Sequence, residues 1–349
     1  MSHTATVLPA EWAPQDAILL TWPHAESPWR RCLDQADLTF SGLAAAISRY
    51  QTLLIGCHDQ ANRRHVRQLL SAAGAHLARC RLHIVPSNDI WARDHGPITV
   101  YQDGRLLMLD FQFNGWGNKF PYQLDDRITS CLHAAGAFGA TSLQPVDLIL
   151  EGGSVETDGQ GTLLTTARCL LNPNRNGLTQ AAIEQRLRET LGFSRFLWLQ
   201  HGHLAGDDTD SHIDTLARFC DVNTIAYQGC SDPADAHYQP LGAMAAELRE
   251  FRTVHDRSYR LIELPLPAPH YDADGNRLPA GYANFLILNE AVLVPIYNDP
   301  MDTVALERLS ACFPNRDVLG MPCATLIRHA GSLHCATMQL PAGVLFGPA

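Results

Sequence analysis

Long apolar runs are missing from this chain. No stretch of about 18 consecutive apolar residues occurs in its 349 residues, so no helical membrane span is expected. The beginning, "MSHTATVLPAEWAPQDAILL", lacks a basic segment followed by an apolar one, and the expectation is an unexported, cytoplasmic protein. Charge is sparse: charged residues make up 18% and the net charge is −10. A negative balance argues against nucleic acid and anionic membrane as partners and is compatible with a small cation, although many ordinary proteins are acidic too. Paired cysteines are also absent. Ten cysteines are scattered with no C-x-x-C, which suggests reduced thiols, most of them small core residues, rather than a disulfide framework. No segment is of low complexity. With 46% hydrophobic residues the chain can bury a full core.

What is present alternates. Residues 37–50, 59–74, 125–135, 178–191, 236–251 and 301–311 have helical periodicity, while 51–57 and 81–86 read as strands. The stretch 283–297, "ANFLILNEAVLVPIY", reads as two apolar strands around Asn289-Glu290. This is a mixed α/β pattern with no Pro/Gly/Ser linker, and 1–349 is expected to form a single domain.

Four polar clusters interrupt the pattern: "NDIWARDHGP" (88–97), "LEGGSVETDG" (150–159), "GDDTDSHIDT" (206–215) and "GYANF" (281–285). A fifth, "RHAGSLHCATMQLP" (328–341), follows near the end. Taking Asp94, Glu151, Asp214, Asn284 and Cys335 as markers, successive gaps are 57, 63, 70 and 51 residues. Near-even spacing suggests five similar units, each of which delivers one polar group.

Among the cysteines, Cys335 stands out because it follows the Ala330-Gly331-Ser332 turn and because the chain supplies a histidine and acids to work with it. His334 is a poor base if the segment is a strand, since neighbours point to opposite faces. In an extended "SHIDT", His212 and Asp214 share a face; the plainer reading of that loop is a solvated surface. Glu151 ends an apolar run before Gly152-Gly153, where a carboxylate can face a ligand or can be an ordinary exposed acid. Asp94 has Arg93 beside it, and the plainer reading is a surface ion pair of little worth. One thiol, one imidazole and three carboxylates suit no peptidase-type triad, because the acids would oppose thiolate formation. They suit a planar cation: carboxylates grip the fork of a guanidinium and hold its carbon toward sulfur.

The motifs "NDIWARDHGP", "FNGWGNKFP" (113–121), "LEGGSVETDGQGTLLTTARCLLNPNRN" (150–176), "GDDTDSHIDTLARF" (206–219) and "HAGSLHCATMQLP" (329–341) resemble the agmatine deiminases, nearly throughout the chain. The resemblance implies the guanidine-modifying (pentein) fold, a five-bladed pseudo-symmetric α/β propeller of ββαβ-like units, acting as a hydrolase on the C–N bonds of linear amidines. It implies agmatine conversion to N-carbamoylputrescine and ammonia, toward putrescine and polyamines, with no cofactor and no metal. It further implies Cys335 as nucleophile, His212 as general acid/base, Asp94 and Asp214 as the guanidinium grip, and Glu151 as the acid that orients His212 and also faces the guanidinium. Trp91, Trp116, Gly331, Asp208 and Glu11 are further candidates for substrate contact. Asp210-Ser211 replaces the Asn-Gly of plant-type sequences, and "HAGSLHC" replaces "GGGNIHC". After "FNGWG" only Lys119 is basic, not the arginine pair with which related peptidylarginine deiminases grip a carboxylate; this favours agmatine. A homo-oligomer is left open.

Two rival readings remain. His201, His203, His212 and Asp214 have metal-ligand spacing, as in a metal-dependent hydrolase. "DGQG" and "GDDTD" could stabilise a calcium-binding protein, although neither matches a twelve-residue EF-hand loop.

Overall fold

A computed structural model describes residues 6–346. It contains five small sheets, and its contacts cluster into two compact units. One comprises Ala13–Gly152 with the chain from Cys335; the other comprises Val7–Trp12 with Gly153–His334.

The expected elements form close to where periodicity places them. Helices occupy Leu33–Ser48, Gln60–Ala72, Ile128–Ala134, Gln180–Leu191, Tyr238–Glu250 and Met301–Cys312. Two start on side-chain caps: Asp59 accepts from the Asn62 N–H, and Thr179 from that of Ala182. Gln180–Leu191 ends on Gly192, whose φ of 77° is the left-handed stop that glycine supplies. Leu286–Ile287 and Ala291–Ile296 pair as the expected hairpin around Asn289-Glu290.

Each sheet repeats one rule: a strand pairs antiparallel with the next, and that one pairs parallel with a third. In the first unit Ile98–Gln102 runs antiparallel to Arg105–Gln112, which runs parallel to Ser142–Ile149. Thr337–Pro341 runs antiparallel to Gln15–Thr21, which runs parallel to Thr52–Cys57 and so to Cys80–Ile84. In the second unit the trios are Glu156–Thr157, Thr162–Thr166 and Arg195–Leu199; Ala217–Asp221, Thr224–Gln228 and Arg260–Leu264; and Leu286–Ile287, Ala291–Ile296 and Asp317–Pro322. The five markers occupy equivalent places. Asp94, Glu151, Asp214, Asn284 and Cys335 each precede the first strand of one trio by two to five residues. The five-unit α/β fold class is thus present in the chain's pairing pattern.

Each unit has its own apolar core. In the first, Leu19, Leu54, Met108, Ile128, Leu132, Phe138 and Leu340 pack together. In the second, Leu164, Leu199, Phe219, Ile225, Leu241, Met244 and Leu248 do so. At about 25 cal/mol per Å² of apolar surface removed from water, such residues supply the main drive to fold. Among the described residues no helix is long and apolar enough to cross a membrane.

Candidate active site

In the first unit Asp94 sits on the single helical turn Ala92–His95 and is buried. The approach to that turn is braced by two acids. Asp125 accepts the Asn88 and Asp89 N–H groups at 2.6 and 3.1 Å. Asp89 accepts the Trp29 indole N–H and the Ile90 N–H, both at 2.8 Å. Burial pushes the Asp89 carboxyl up to about 6, against hydrogen bonds from Trp29, Ile90 and Trp91. Trp91 packs on Trp29 with ring centroids 5.8 Å apart.

Arg93 and Asp94 are both buried, so the reading of a surface ion pair fails. The Arg93 guanidinium reaches Gln339 and, at 3.5 Å, the Met338 sulfur. Asp94 accepts the Trp116 indole N–H at 2.9 Å. Trp116 is delivered by an unusual turn: Gly115, Trp116, Gly117 and Asn118 have φ of 63°, 55°, 93° and 61°, and Asn118 and Lys119 donate back to the Asn114 and Gly115 carbonyls at 2.7 and 3.1 Å. This is one left-handed helical turn, which costs roughly 1–2 kcal/mol for each non-glycine residue. Glycines at two of its four positions reduce that strain. The arrangement sets the indole on Asp94.

The Arg93 backbone gathers the other two groups of this unit. Its N–H donates to the Cys335 carbonyl at 3.1 Å. Its carbonyl lies where a side chain on Gly152 would go, 2.2 Å from an ideal Cβ. Only glycine lets the segment after Glu151 approach so closely. Glu151 is fully buried and follows Leu150, whose N–H donates to the Gln112 carbonyl at 3.2 Å; it is not an ordinary exposed acid. Cys335 is 4% exposed and lies in a turn just before Thr337–Pro341. Asp94, Glu151 and Cys335 therefore sit on three segments tied to one residue.

In the second unit His212 is fully buried. The loop before it is internally bonded rather than solvated. Asp207 accepts the Ser211 N–H at 2.6 Å, Thr166 donates its hydroxyl to the Ser211 carbonyl at 2.7 Å, and Arg175 pairs with Asp210 at 2.5 Å. Asp210 and Ser211 have φ of 66° and 68°, the left-handed region that an Asn-Gly pair enters with less strain. These bonds hold them there. Thr166 also caps the short helix Ala167–Leu170, and the Cys169 sulfur comes within 4.8 Å of the His212 ring. Asp214 is not on an extended strand, as "SHIDT" suggested, but on the 3-10 turn Ile213–Thr215. Its carboxylate meets the His334 Nδ1 at 2.8 Å. Burial alone would raise the Asp214 carboxyl; the hydrogen bond and charge of His334, then His212 and Arg218, outweigh burial and hold it below the usual range.

His334 also departs from expectation: the segment is a turn, so alternation along a strand does not govern its direction, and its ring is buried against acids. Asn284 accepts the His334 N–H at 2.8 Å and donates to the Asp214 carbonyl at 3.2 Å. Glu11, a candidate for the distal amine, is instead committed to His334 and Arg218. Asp208 is half-buried in the loop before His212, and Gly331 is buried beside Ala330, whose φ is 63°. Sequence reading missed Arg218, Glu156 and Cys169, and weighed His334 only as a poor base. An arginine inside the apolar "LARFC" was the visible signal for Arg218. It is fully buried, bound to Glu11 and Glu156, and its guanidinium carbon lies 4.9 Å from the centre of the Phe285 ring. Of the metal-hydrolase set, His201 is exposed and bonded to Glu247 at 2.6 Å, and Asp214 is engaged by His334.

Residues 7–341 match the model of the Porphyromonas-type peptidyl-arginine deiminase family. A Yersinia pseudotuberculosis protein named "Putative agmatine deiminase" is 35% identical over 96% of this chain and 95% of its own length. A solved C. jejuni agmatine deiminase with substrate bound is 37% identical with a TM-score of 0.91, covering 97% of both chains. A solved Porphyromonas gingivalis protein named "Putative Arginine Deiminase" is 49% identical with a TM-score of 0.92, covering 97% of this chain and 99% of that one. The chain therefore belongs to the Porphyromonas-type peptidyl-arginine deiminase family, with the pentein fold, and is a hydrolase of the class that acts on amidine carbon–nitrogen bonds.

Proposed function

We propose that this protein is an agmatine deiminase that converts agmatine and water to N-carbamoylputrescine and ammonia. The observation that carries the chemistry is the gathering of Asp94, Glu151 and Cys335 around the Arg93 backbone. In the proposed site two carboxylates beside the thiol would disfavour thiolate unless the ligand is itself cationic, and a guanidinium meets both needs. In the proposed reaction Asp94 and Asp214 hold the guanidinium, the Cys335 thiol passes its proton to His212, and the resulting thiolate attacks the central carbon. His212, as imidazolium and oriented by Glu151, gives a proton to the leaving ammonia, which breaks one C–N bond and leaves an amidino-cysteine. Neutral His212 then takes a proton from water, the hydroxyl adds to the same carbon, and the C–S bond breaks to release the urea and restore the thiol.

The relatives' names differ over substrate, and the arginines favour agmatine. Three arginines are buried among the described residues, and each is occupied: Arg93 by Gln339, Arg175 by Asp210, and Arg218 by Glu11 and Glu156. A substrate carboxylate would lack a buried cation, whereas agmatine has no carboxylate. The proposal takes the whole chain as one catalytic domain in the cytoplasm that serves putrescine formation. Ammonia release from agmatine, arginine, a peptidyl-arginine mimic and guanidinobutyrate, measured side by side, tests it. Agmatine is expected to exceed the carboxylate-bearing compounds roughly a hundredfold or more in kcat/KM, since burying an unpaired carboxylate costs several kcal/mol. Equal rates across the panel would overturn the substrate assignment.

A further inference from the structure

The second unit holds a chain of charged groups that runs Asp214, His334, Glu11, Arg218, Glu156, all buried except the half-buried Glu11. His334 is fixed at its backbone by Asn284, whose Oδ1 and carbonyl accept its N–H at 2.8 and 3.2 Å. Its ring lies between two acids. Nδ1 is 2.8 Å from Asp214 Oδ2, and Nε2 is 2.8 and 3.0 Å from the two carboxylate oxygens of Glu11. An ionised carboxylate can only accept, and a neutral imidazole has one N–H to give. Two carboxylates at hydrogen-bond distance from both nitrogens therefore require either an imidazolium or a protonated acid. The surrounding charges select the imidazolium. The Arg218 guanidinium binds Glu11 directly, and His212 and Arg218 both act on Asp214. Glu156 lies beyond Arg218 and does not contact the ring.

We propose that His334 is a standing cation, a positioning residue that fixes the direction of the Asp214 carboxylate and keeps it charged for the substrate's guanidinium, with Glu11 and Arg218 holding His334 from behind. The proposal rests on the reading of Asp214 as part of the guanidinium grip. It gives Glu11, Arg218 and His334 a share in substrate affinity without contact with the substrate. Arg218 then acts on Asp214 through Glu11 and His334 as well as by its own charge, and Asn284 serves as the splint that sets the spacing between the Asp214 and His334 segments.

The test has two arms. In the full-length, unliganded enzyme, nitrogen-15 spectra of the histidine rings, assigned with His334→Gln, are expected to show both His334 nitrogens protonated from pH 6 to 9. In Glu11→Gln, which removes one anion and keeps the shape, the same ring is expected to titrate inside that range. A neutral His334 at pH 7 in the unaltered enzyme would overturn the proposal. In the kinetic arm, His334→Gln and Glu11→Gln are expected to raise KM for agmatine roughly ten- to a hundredfold with a smaller change in kcat, the pattern of lost ground-state and transition-state binding together. An unchanged KM in a folded variant would also overturn it. If His334→Gln does not fold, Glu11→Gln and the unaltered enzyme decide both arms. An unaltered enzyme inactive on agmatine would overturn the substrate reading alone, because the ring-nitrogen shifts decide the charge state without substrate.

Discussion

Replacing Arg218 with methionine is the most informative single change to stability. The side chain is fully buried, binds Glu11 and Glu156, donates to the Phe285 carbonyl at 3.0 Å and stacks on the Phe285 ring. Methionine fills much of the same space but leaves the buried Glu156 carboxylate without its cation and takes from Glu11 one of its two partners. Breaking a buried pair from one side costs about 3–5 kcal/mol. With an unfolding entropy near 2.1 cal/mol/K per residue, a chain of this length should lose roughly 4–7 °C in Tm. The loss should depend on pH. Burial, with the nearby charge of Glu11, pushes the Glu156 carboxyl up to about 7 despite Arg218. A carboxyl raised above its unfolded value stabilises fully below that unfolded value, and the contribution is lost as pH rises through the folded one. Without Arg218 the folded value climbs further, so the decline continues above pH 7 in the variant after it has ended in the parent. The gap in Tm should therefore be small near pH 6 and full near pH 8.5. Adding Glu156→Gln to the variant should recover part of the loss at pH 8.5. Thermal melts across pH decide this. A loss below about 1 kcal/mol at pH 8.5, or a gap that ignores pH, would refute the account of Arg218 as the counter-charge.

Three other outcomes follow. Cys335→Ser should lower kcat for agmatine by roughly 10⁴ or more while the fold persists, and mass spectrometry of acid-quenched parent enzyme should find an amidino adduct on Cys335. Gly152→Ala, whose new methyl would meet the Arg93 carbonyl and the Met338 side chain, should cost roughly 1–3 kcal/mol of stability and at least about tenfold in kcat by displacing Glu151; melts and steady-state kinetics check both. His201→Ala should leave turnover within about twofold, since surface substitutions away from special features have little effect and His201 is exposed and bonded to Glu247; a large loss would revive the metal-hydrolase reading.

Much of this arrangement was readable before any coordinates. The spacing of Asp94, Glu151, Asp214, Asn284 and Cys335 reported a real repeat, because each precedes the leading strand of one sheet, and a repeated pairing rule forces similar segment lengths between such positions. Helices such as Gln60–Ala72 were visible because their apolar residues recur along one stripe. What stayed hidden depended on long-range partners or on turn geometry. His334 reads as a poor base only if its segment is a strand, and the turn that directs its ring to Asp214 and Glu11 leaves no periodic mark. Glu11 looked like a free acid because its partners lie 207 and 323 residues away. The left-handed turn at Gly115–Asn118 was signalled only by two glycines around a tryptophan.

The sheet that pairs Thr337–Pro341 with Gln15–Thr21 joins segments more than 300 residues apart in sequence. During translation Gln15–Thr21 must wait for this partner until residues 337–341 have been made. Cys335, the proposed nucleophile, lies two residues before that strand, so its position is tied to this pairing. A chain cut before Cys335 would carry Asp94, Glu151 and Asp214 without the proposed nucleophile. Such a chain would therefore lack the proposed nucleophile and this strand pairing together.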